Sequence, residues 1–372
     1  MPGDRKEVQL KHDKLVEYMA SRHLDAVVLT RRANFAWYTA GRLNHVVVGT
    51  DMGVASLVVT KQGATCLTNT IEGPRLADEE LSAIGIDVKA YAWHDAGDAA
   101  KHWSAVLGGV KWACDARVGG MPEGGESLDG AFNRLRWTMT PGEIDRYRSL
   151  CRETAGALEA ASRHAKPGMT EDQLAGAIAL NLQDKGIRAP VVLIAADDRV
   201  RKYRHPIPTS RKFEKYGMAV CCGERDGLIA SNTRLFSFGP IDADLGKRRG
   251  AVWHVEAETI AATRPGKTIG EVFAALQAAY AETGYADEWT LHHQGGSAGY
   301  LGREVKGTPG NDTPVLANQF FAWNPSIAGT KCEDTVLVGP DRNEILTTTG
   351  NWPTTSYEAG GNQWPRCDIL EM

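Results

Sequence analysis

The chain has 372 residues, of which 42% are hydrophobic and 24% charged, with 40 glycines and a formal net charge of -4. This length suits two domains, and the composition is typical of a folded protein, which excludes a disordered or fibrous chain. The weak negative charge provides no electrostatic reason to expect a nucleic-acid partner.

The start of the chain and its cysteines indicate a cytoplasmic protein. The first residues, "MPGDRKEVQLKHDKL", are charged throughout and lack the apolar core of a secretion signal. Apolar runs such as "PVVLIAA" are shorter than the ~18 residues that a membrane span requires, so we expect no membrane partner. Seven cysteines without a CxxC pair favour a reducing compartment over a disulfide framework.

The first third of the chain alternates helical stretches with short strands. Residues 10–28 contain a predicted amphipathic helix that leads into the strand "DAVVLT". "GVASLVVT" and "ATCLTN" form a predicted hairpin around Lys61-Gln62-Gly63, and "IDVKAYAW" and "VKWACDA" are further strands. This alternation predicts an α/β domain over residues 1–137.

The second predicted domain, residues 138–372, begins with a long helix. Thr140 and Glu143 have capping-box spacing and Pro141 suits the first turn, so the helix should run from Pro141 to near Lys166. Two later segments, "KPGMTEDQL" and "RPGKTIGEV", each end one helix and begin the next with a threonine cap. The repeat indicates a duplicated half with approximate two-fold symmetry, although coincidence is the alternative.

The stretch "CCGERDGLIASNTRLF", residues 221–236, is predicted to be a hairpin that turns at Arg225-Asp226-Gly227. Alternation makes its second strand polar on both faces, and its only carboxylates lie at the turn. The strands of this polar hairpin thus carry no carboxylate away from the turn.

Five segments carry a resemblance to a known family: "RHPIPTSRKFEKYGMAV", "IASNTRLFSFG", the doubled Pro-Gly-Thr helices, "HHQGGSAGYLGRE" and "KCEDTVLVG". In this order they resemble the creatinase / Xaa-Pro aminopeptidase superfamily. The resemblance implies an α+β chain, with a smaller α/β N-terminal domain and a pita-bread C-terminal domain. The latter is a curved antiparallel sheet flanked by two helix pairs with pseudo-two-fold symmetry. The resemblance also implies a homodimer and an active site in the concavity of the sheet.

In the metallopeptidases of that superfamily, two Asp, one His and two Glu hold a pair of divalent ions. The corresponding positions here carry, in chain order, Cys221 or Cys222, Ser231 or Asn232, His293 or Gln294, Asn324, and Glu333. Because two dications bring four positive charges, a single carboxylate cannot balance them. We therefore expect no dinuclear site and no cofactor.

One divalent ion, zinc or manganese, is the alternative. Cys221, His293 and Glu333 are ligand types that suit a single zinc with an open position.

His205, in "YRHPIPTSR", matches the histidine that lines the substrate pocket of the family. A histidine that titrates near neutral pH can act as general acid and base, and creatinase works without metal through the histidine at this position. We therefore predict His205 and Glu333 as catalytic residues, with Glu333 orienting His205 or binding substrate charge. The alternatives are a hydrogen-bonded loop histidine and a structural salt bridge.

Six further residues are predicted to contact substrate: His293, Asn232, Glu304, Arg303, Asn324 and Cys221. Strand alternation predicts that at most one of His292 and His293 enters the pocket, and that Asp334 points away from Glu333. Cys221 and Cys222 are interpreted as small apolar groups that fill the vacated metal site, with a nucleophilic thiol as the alternative.

Two regions bear on the substrate. "NHVVVGTDMG" offers Val48 and Thr50 at the places where creatinase holds its substrate carboxylate, so creatine fits poorly. In the loop-rich tail, Trp352 and Trp364 either close the pocket or pack on the domain.

These features predict a metal-independent, creatinase-like hydrolase that acts on a C–N bond of a small amino-acid-like or short-peptide substrate. The alternatives are a metal-dependent Xaa-Pro aminopeptidase or dipeptidase, a non-catalytic relative that binds a ligand in the same pocket, and lyase or isomerase chemistry.

Overall fold

The computed structural model describes residues 2–372, which form two compact units. One unit comprises Met1–Arg136, Thr140–Glu143 and Asp226–Leu228, and the other comprises Trp137–Met139, Ile144–Arg225 and Ile229–Met372. Helices and sheets are mixed throughout, so the predicted α+β class is confirmed. The domain limits 1–137 and 138–372 stay a prediction.

The first unit contains one mixed six-stranded sheet. Its strands are β1 (Ala26–Arg31), β2 (Met52–Thr60), β3 (Gly63–Asn69), β4 (Asp87–Tyr91), β5 (Trp112–Cys114) and β6 (Glu126–Ser127), in the order β4-β3-β2-β1-β5-β6. Its helices are α1 (Arg5–Arg22), α2 (Arg32–Tyr38), the short α3 (Gly73–Arg75), α4 (Ala96–Leu107) and α5 (Gly130–Arg134), with a π-helical turn at Leu76–Leu81 and a 3₁₀ turn at Ser82–Ile84.

Burial of apolar side chains holds α4 on this sheet. Trp103 and Leu107 of the helix share a buried cluster with Val28 and Val58 of the strands. The predicted hairpin around Gly63 is confirmed as β2 and β3. The first helix begins earlier than predicted because the Asp4 carboxylate caps it by accepting from the first-turn backbone N–H groups.

The second unit contains two larger sheets and two hairpins. Its strands are β7 (Arg188–Ala196), β8 (Tyr216–Arg225), β9 (Leu228–Ser237), β10 (Gly295–Ala298), β11 (Val305–Lys306), β12 (Phe320–Trp323), β13 (Ser326–Ile327), β14 (Thr330–Lys331), β15 (Asp334–Leu337), β16 (Glu344–Ile345), β17 (Thr354–Ala359), β18 (Asn362–Cys367) and β19 (Leu370–Glu371). Its helices are α6 (Pro141–Arg163), α7 (Glu171–Gln183), α8 (Asp198–Lys202), α9 (Ala243–Ala262) and α10 (Ile269–Glu282), with a 3₁₀ turn at Glu288–Leu291.

Hydrogen bonds join the two larger sheets between β9 and the start of β15. The four-stranded sheet has the order β19-β9-β8-β7, and the five-stranded sheet has the order β11-β10-β12-β15-β16. The Thr233 N–H on β9 donates to the Glu333 carbonyl over 3.0 Å, and the Ser231 N–H donates to Thr335 Oγ1 over 3.0 Å. The segment "IASNTRLF" therefore runs beside "KCEDT".

The doubled helix caps are present as predicted. Thr170 and Thr268 each form a complete capping box, with Gln173 and Glu271 respectively. Each threonine also makes an isolated antiparallel bridge, Thr170 to Lys212 and Thr268 to Pro314. This repeated arrangement fits a duplicated half.

The tail differs from its predicted loop-rich character. Strands β17 and β18 pair along their full length, and Trp352 and Trp364 are only 3% and 1% exposed. Trp364 packs against Ala257 and Ile260 of α9. The two tryptophans therefore pack on the domain, and the pocket-closing alternative is wrong.

None of the helices within residues 2–372 combines the length and the apolar composition that a membrane crossing requires.

Candidate active site

The hairpin of β8 and β9 places polar side chains on one face. Its turn is tight, with positive φ at Asp226 (53°) and Gly227 (77°). Cys222 Sγ lies 3.3 Å from Ser231 Oγ across the two strands. Cys221, the preceding residue, faces the other way and is fully buried. Of the two cysteines that matched the first Asp of the family, Cys222 is the one beside Ser231.

The Glu333 carboxylate has partners on both oxygens. Arg303 donates through Nη2 to Oε1 over 2.9 Å, while Oε2 lies 3.0 Å from Lys331 Nζ and accepts from Thr233 Oγ1 over 2.9 Å. Burial alone would raise the pKa of this carboxyl, but the charges of Lys331 and Arg303 outweigh burial and hold the pKa at about 2. Glu333 is therefore ionised at neutral pH.

These contacts form one continuous polar group. Arg303 also donates to Ser231 Oγ over 3.3 Å, which links the ion pairs to Cys222. Two cations and one anion leave a net charge of +1 at this point of the molecule. Lys331, which ends β14, was absent from the predicted site, although it stands only two residues before Glu333.

The residues present do not fit the pair of divalent ions that the family resemblance implies. The one retained carboxylate, Glu333, already holds an ammonium and a guanidinium group, which repel cations. The other positions offer thiol, hydroxyl, imidazole and amide groups, which cannot balance four positive charges.

Three histidines meet beside this polar group. One ring nitrogen each from His205, His292 and His293 lies within 4.8 Å of the others. The closest pair is His205 Nε2 and His292 Nε2, at 3.0 Å. The prediction that at most one of His292 and His293 enters the pocket is wrong. Both lie in the irregular segment between a 3₁₀ turn and β10, where strand alternation does not apply.

All three rings are neutral at pH 7. Burial, reinforced by the charge of Lys331, lowers the pKa of His292 to about 2. Burial and the charge of Arg303 lower the pKa of His293 to about 4, and burial with Lys331 also lowers the pKa of His205. Lys331 and Glu333 act electrostatically on all three rings, and Arg303 acts on His205 and His293, so the histidines and the ion pairs belong to one site.

A second set of hydrogen bonds fixes the histidine segment. Ser326 Oγ lies 3.2 Å from His292 Nδ1, on the far side of the ring from His205. Gln294 Nε2 donates to the His292 carbonyl over 2.6 Å, and the Tyr280 hydroxyl donates to Gln294 Oε1 over 2.9 Å. Gln294, the other candidate for the histidine position of the family, is thus a core residue that holds the loop in place.

Gly295 and Gly296 are required by a neighbouring backbone. Their φ values are 98° and 146°. A Cβ atom on Gly295 would lie 2.1 Å from the Ala322 carbonyl oxygen, and one on Gly296 would lie 2.0 Å from the Val305 carbonyl oxygen. The close approach of these two backbone segments therefore requires glycine at both positions.

The remaining predicted residues have defined surroundings. Asn232 and Asn324 are buried, and within residues 2–372 the side-chain amide of Asn232 and Oδ1 of Asn324 have no hydrogen-bond partner. Glu304 accepts a hydrogen bond from the Leu301 N–H over 3.2 Å. Burial raises the pKa of the Cys221 thiol well above its ordinary value, so this group is uncharged. The roles of these residues toward substrate stay predictions.

The two joined sheets and their capped helix pairs are those of the pita-bread fold. The model of metallopeptidase family M24 matches residues 145–340, and the model of the creatinase/prolidase N-terminal domain matches residues 11–150. The chain therefore belongs to metallopeptidase family M24, and it carries the N-terminal domain of the creatinases and prolidases. Membership places it among the peptide-bond hydrolases and confirms the predicted superfamily.

Individual relatives are distant. An uncharacterized peptidase of Staphylococcus saprophyticus is 24% identical over 229 residues, which cover 59% of this chain and 65% of the relative. The probable dipeptidase PepE of Mycobacterium tuberculosis is 26% identical over 362 residues, covering 87% of this chain and 95% of the relative. The crystal structure of the prolidase from Pyrococcus horikoshii has a TM-score of 0.76 at 18% identity, covering 91% of this chain and 98% of that chain. That structure shares the fold.

Proposed function

We propose that the protein hydrolyses a C–N bond of a small amino-acid-like or short-peptide substrate without the paired metal ions of its family. The observation that carries this proposal is the double ion pair of Glu333 with Lys331 and Arg303. Fixed cations in a site that is shielded from water can stabilise the oxyanion that forms when a carbonyl is attacked. Here the positive charge comes from the side chains of Lys331 and Arg303 instead of from metal ions.

His205 is the proposed general acid and base. It is the exposed member of the three histidines, and its ring contacts His292, which Ser326 holds from behind. A neutral imidazole can accept a proton from the attacking water and return it to the leaving nitrogen as the C–N bond breaks. His292 and Ser326 then serve as positioning residues that orient the ring.

The other proposed contacts follow from unsatisfied groups. Asn324 brings a buried amide oxygen without a partner, which a polar substrate would satisfy. Asn232 lies on the face of β9 opposite to Ser231 and Thr233, so its predicted contact with substrate is left out of the proposal. His293, Arg303 and Glu304 complete the proposed substrate-binding set. Cys221, which faces away from the polar face of the hairpin, is left out of it. Glu333 keeps its proposed catalytic role by holding the two cations. The relatives named as dipeptidase and prolidase support a short peptide as substrate.

The test is turnover by chelator-treated protein on a panel of dipeptides, including Xaa-Pro, and of small ureido, guanidino and cyclic amino-acid compounds, followed by mass spectrometry of the products. We expect His205→Ala to lower kcat/KM by about 10²–10⁴-fold, the usual contribution of a general acid–base group. The control is His164→Ala, an exposed residue at the end of α6. Wild-type activity in the His205 variant would refute the assignment.

A metal-dependent dipeptidase is the second candidate, favoured by the cluster of three histidines. It predicts that chelators abolish turnover and that manganese, cobalt or zinc restores it. The homodimer and the cytoplasmic location stay predictions, and a non-catalytic binder is expected to show ligand-induced stabilisation without product.

A further inference from the structure

We propose that His205, His292 and His293 form a binding site for one zinc-like transition-metal ion, and that the bound ion switches hydrolysis off by occupying His205. This site shares the histidine position, His293, with the paired-ion site of the family, but it uses none of the carboxylate positions. The metal site stands on its own geometry, while its inhibitory role rests on the proposed function of His205 as base; metal binding and turnover by metal-free protein are measured separately.

The geometry suits three imidazole ligands. Zinc bonds histidine nitrogen at 2.0–2.1 Å in a tetrahedral arrangement, which places ligand nitrogens about 3.3 Å apart. His205 Nε2 and His292 Nε2 are 3.0 Å apart, and all three ligand nitrogens lie within 4.8 Å of one another. Small rotations of the side chains are therefore sufficient to bring three nitrogens onto one ion.

The histidine at the centre is already oriented for a metal. Ser326 Oγ lies 3.2 Å from His292 Nδ1, which directs Nε2 of the same ring toward His205. A hydrogen bond to the non-ligating nitrogen is the usual way in which proteins fix a metal-binding histidine. Gln294 holds the carbonyl of His292 over 2.6 Å and thereby fixes the segment that carries two of the three ligands.

The ligand type determines which ions fit. Three imidazoles without a carboxylate favour zinc, cobalt, nickel or copper over magnesium, calcium or manganese. The nearby cations Lys331 and Arg303 disfavour any dication, so we expect the affinity to be below that of structural zinc sites. Reversible occupancy is what an inhibitory site requires, and His205, as the exposed ligand, gives the ion access from solvent.

The ring of His205 belongs both to the proposed metal site and to the proposed catalytic machinery. A lone pair that is bound to a metal cannot accept a proton, so an ion on His205 removes the proposed base. We expect zinc to inhibit turnover and a chelator to restore it fully.

The experiment uses the full chain, stripped with a chelator and dialysed. Cobalt(II) is titrated in while the visible absorption is recorded, and zinc is titrated in competition with a chromophoric chelator. We expect one equivalent of either metal and the visible bands of four- or five-coordinate cobalt. His293→Gln should weaken binding by at least tenfold, whereas His164→Gln, at an exposed helix end, should not.

A measurement on the wild-type protein covers the case in which the variant does not fold. Diethyl pyrocarbonate modifies free imidazole, so zinc should protect His205 from modification, as read by mass spectrometry, while His164 reacts equally with and without zinc. Absence of binding, unchanged affinity in the His293 variant or unprotected His205 would each overturn the site. Activation by zinc would overturn the inhibitory role and support the metal-dependent candidate.

Discussion

The Glu333 side chain is 3% exposed and touches two cations, Lys331 and Arg303, of which Lys331 is 4% exposed. Charges buried to this degree are tolerated only when they are paired and hydrogen-bonded. The three side chains therefore depend on one another for stability as well as for any role toward substrate.

Replacing the shared anion should be costly. In Glu333→Gln, Lys331 and Arg303 remain next to each other without a counter-charge, and we expect the free energy of unfolding to fall by about 3–5 kcal/mol, as when a buried pair is broken. Urea denaturation measures this loss. Glu344→Gln is the matched control, because Glu344 pairs with Arg148 at the surface and should cost below about 1 kcal/mol. Equal losses in the two variants would contradict the prediction.

A second buried charge cluster surrounds Asp334. Asp334 lies within 3.1 Å of Arg234 and 3.5 Å of Arg366, Arg234 also pairs with Glu159 at 2.9 Å, and Arg366 contacts Glu256. Two guanidinium charges are balanced by two carboxylates, which leaves the third carboxyl in excess. Burial raises the pKa of Glu256 to about 7, although the charge of Arg366 opposes the shift.

This shift predicts a pH dependence of stability. Because the folded pKa of Glu256, about 7, lies above its ordinary value of 4.5, its contribution is complete below about pH 4.5 and is lost as the pH rises through 7. The neighbouring Cys332 thiol, whose pKa burial raises, stays protonated over this range. Glu256→Gln mimics the protonated form. We expect similar unfolding free energies for variant and wild type at pH 4.5, and a variant about 3 kcal/mol more stable at pH 8. Urea denaturation at both pH values measures this, and no difference at pH 8 would contradict it.

At the scale of elements, the C-terminal hairpin of β17 and β18 is part of the core of the second unit. Trp364 fills a cluster with Ala257 and Ile260 of α9, together with Val336 of β15. Its indole N–H donates to the Ala359 carbonyl over 3.0 Å, so its polar atom is satisfied as well. The hairpin thus covers one side of α9.

Truncating this tryptophan should therefore destabilise the protein. We expect Trp364→Ala to lower the free energy of unfolding by about 3–5 kcal/mol, through lost apolar burial and the cavity that remains. Trp93→Ala serves as control, since Trp93 is 64% exposed and its loss should change stability by about 0.5 kcal/mol or less. Chemical denaturation compares the two, and a small effect at Trp364 would show that the hairpin is not part of the core.

At the scale of the whole molecule, the first unit includes a short segment, Thr140–Glu143, that follows its main range, Met1–Arg136. Glu143 belongs to this unit, and its carboxylate lies 2.8 Å from Lys11 Nζ, with both side chains almost fully buried. Lys11 also pairs with Glu7 at 2.7 Å. A division of the chain after residue 137 separates Lys11 from one of its two carboxylates.

The domain limit can be tested with two fragments. We expect residues 1–146 to be more stable than residues 1–137 by about 1.5–3 kcal/mol, the range for hydrogen bonds to charged groups. Glu143→Gln in the longer fragment should remove most of that difference. Denaturant titration followed by circular dichroism measures all three, and equal stability of the two fragments would support the limit at residue 137.

Much of the fold was predictable from the sequence because its determinants are local. The threonine caps, the Pro-Gly stops and the turn at Asp226-Gly227 act over two to four residues, and the structure contains each of them. The order of five short motifs was sufficient for the superfamily. Asp334 and Glu333 have different partners, as predicted, although Glu333 lies just before β15 rather than on it.

Only the tertiary structure decided what the site contains. His205 meets His292 across 87 positions of sequence, and Thr233 meets Glu333 across 100. The pairing of Arg303 with Glu333, the choice of Cys222 beside Ser231 and the entry of both His292 and His293 depend on where loops and strands cross. The sequence by itself determined that the acidic ligands of the family are missing, because residue identity requires no geometry. What replaced them, two cations on one carboxylate beside three neutral imidazoles, follows from long-range packing, which no local pattern specifies.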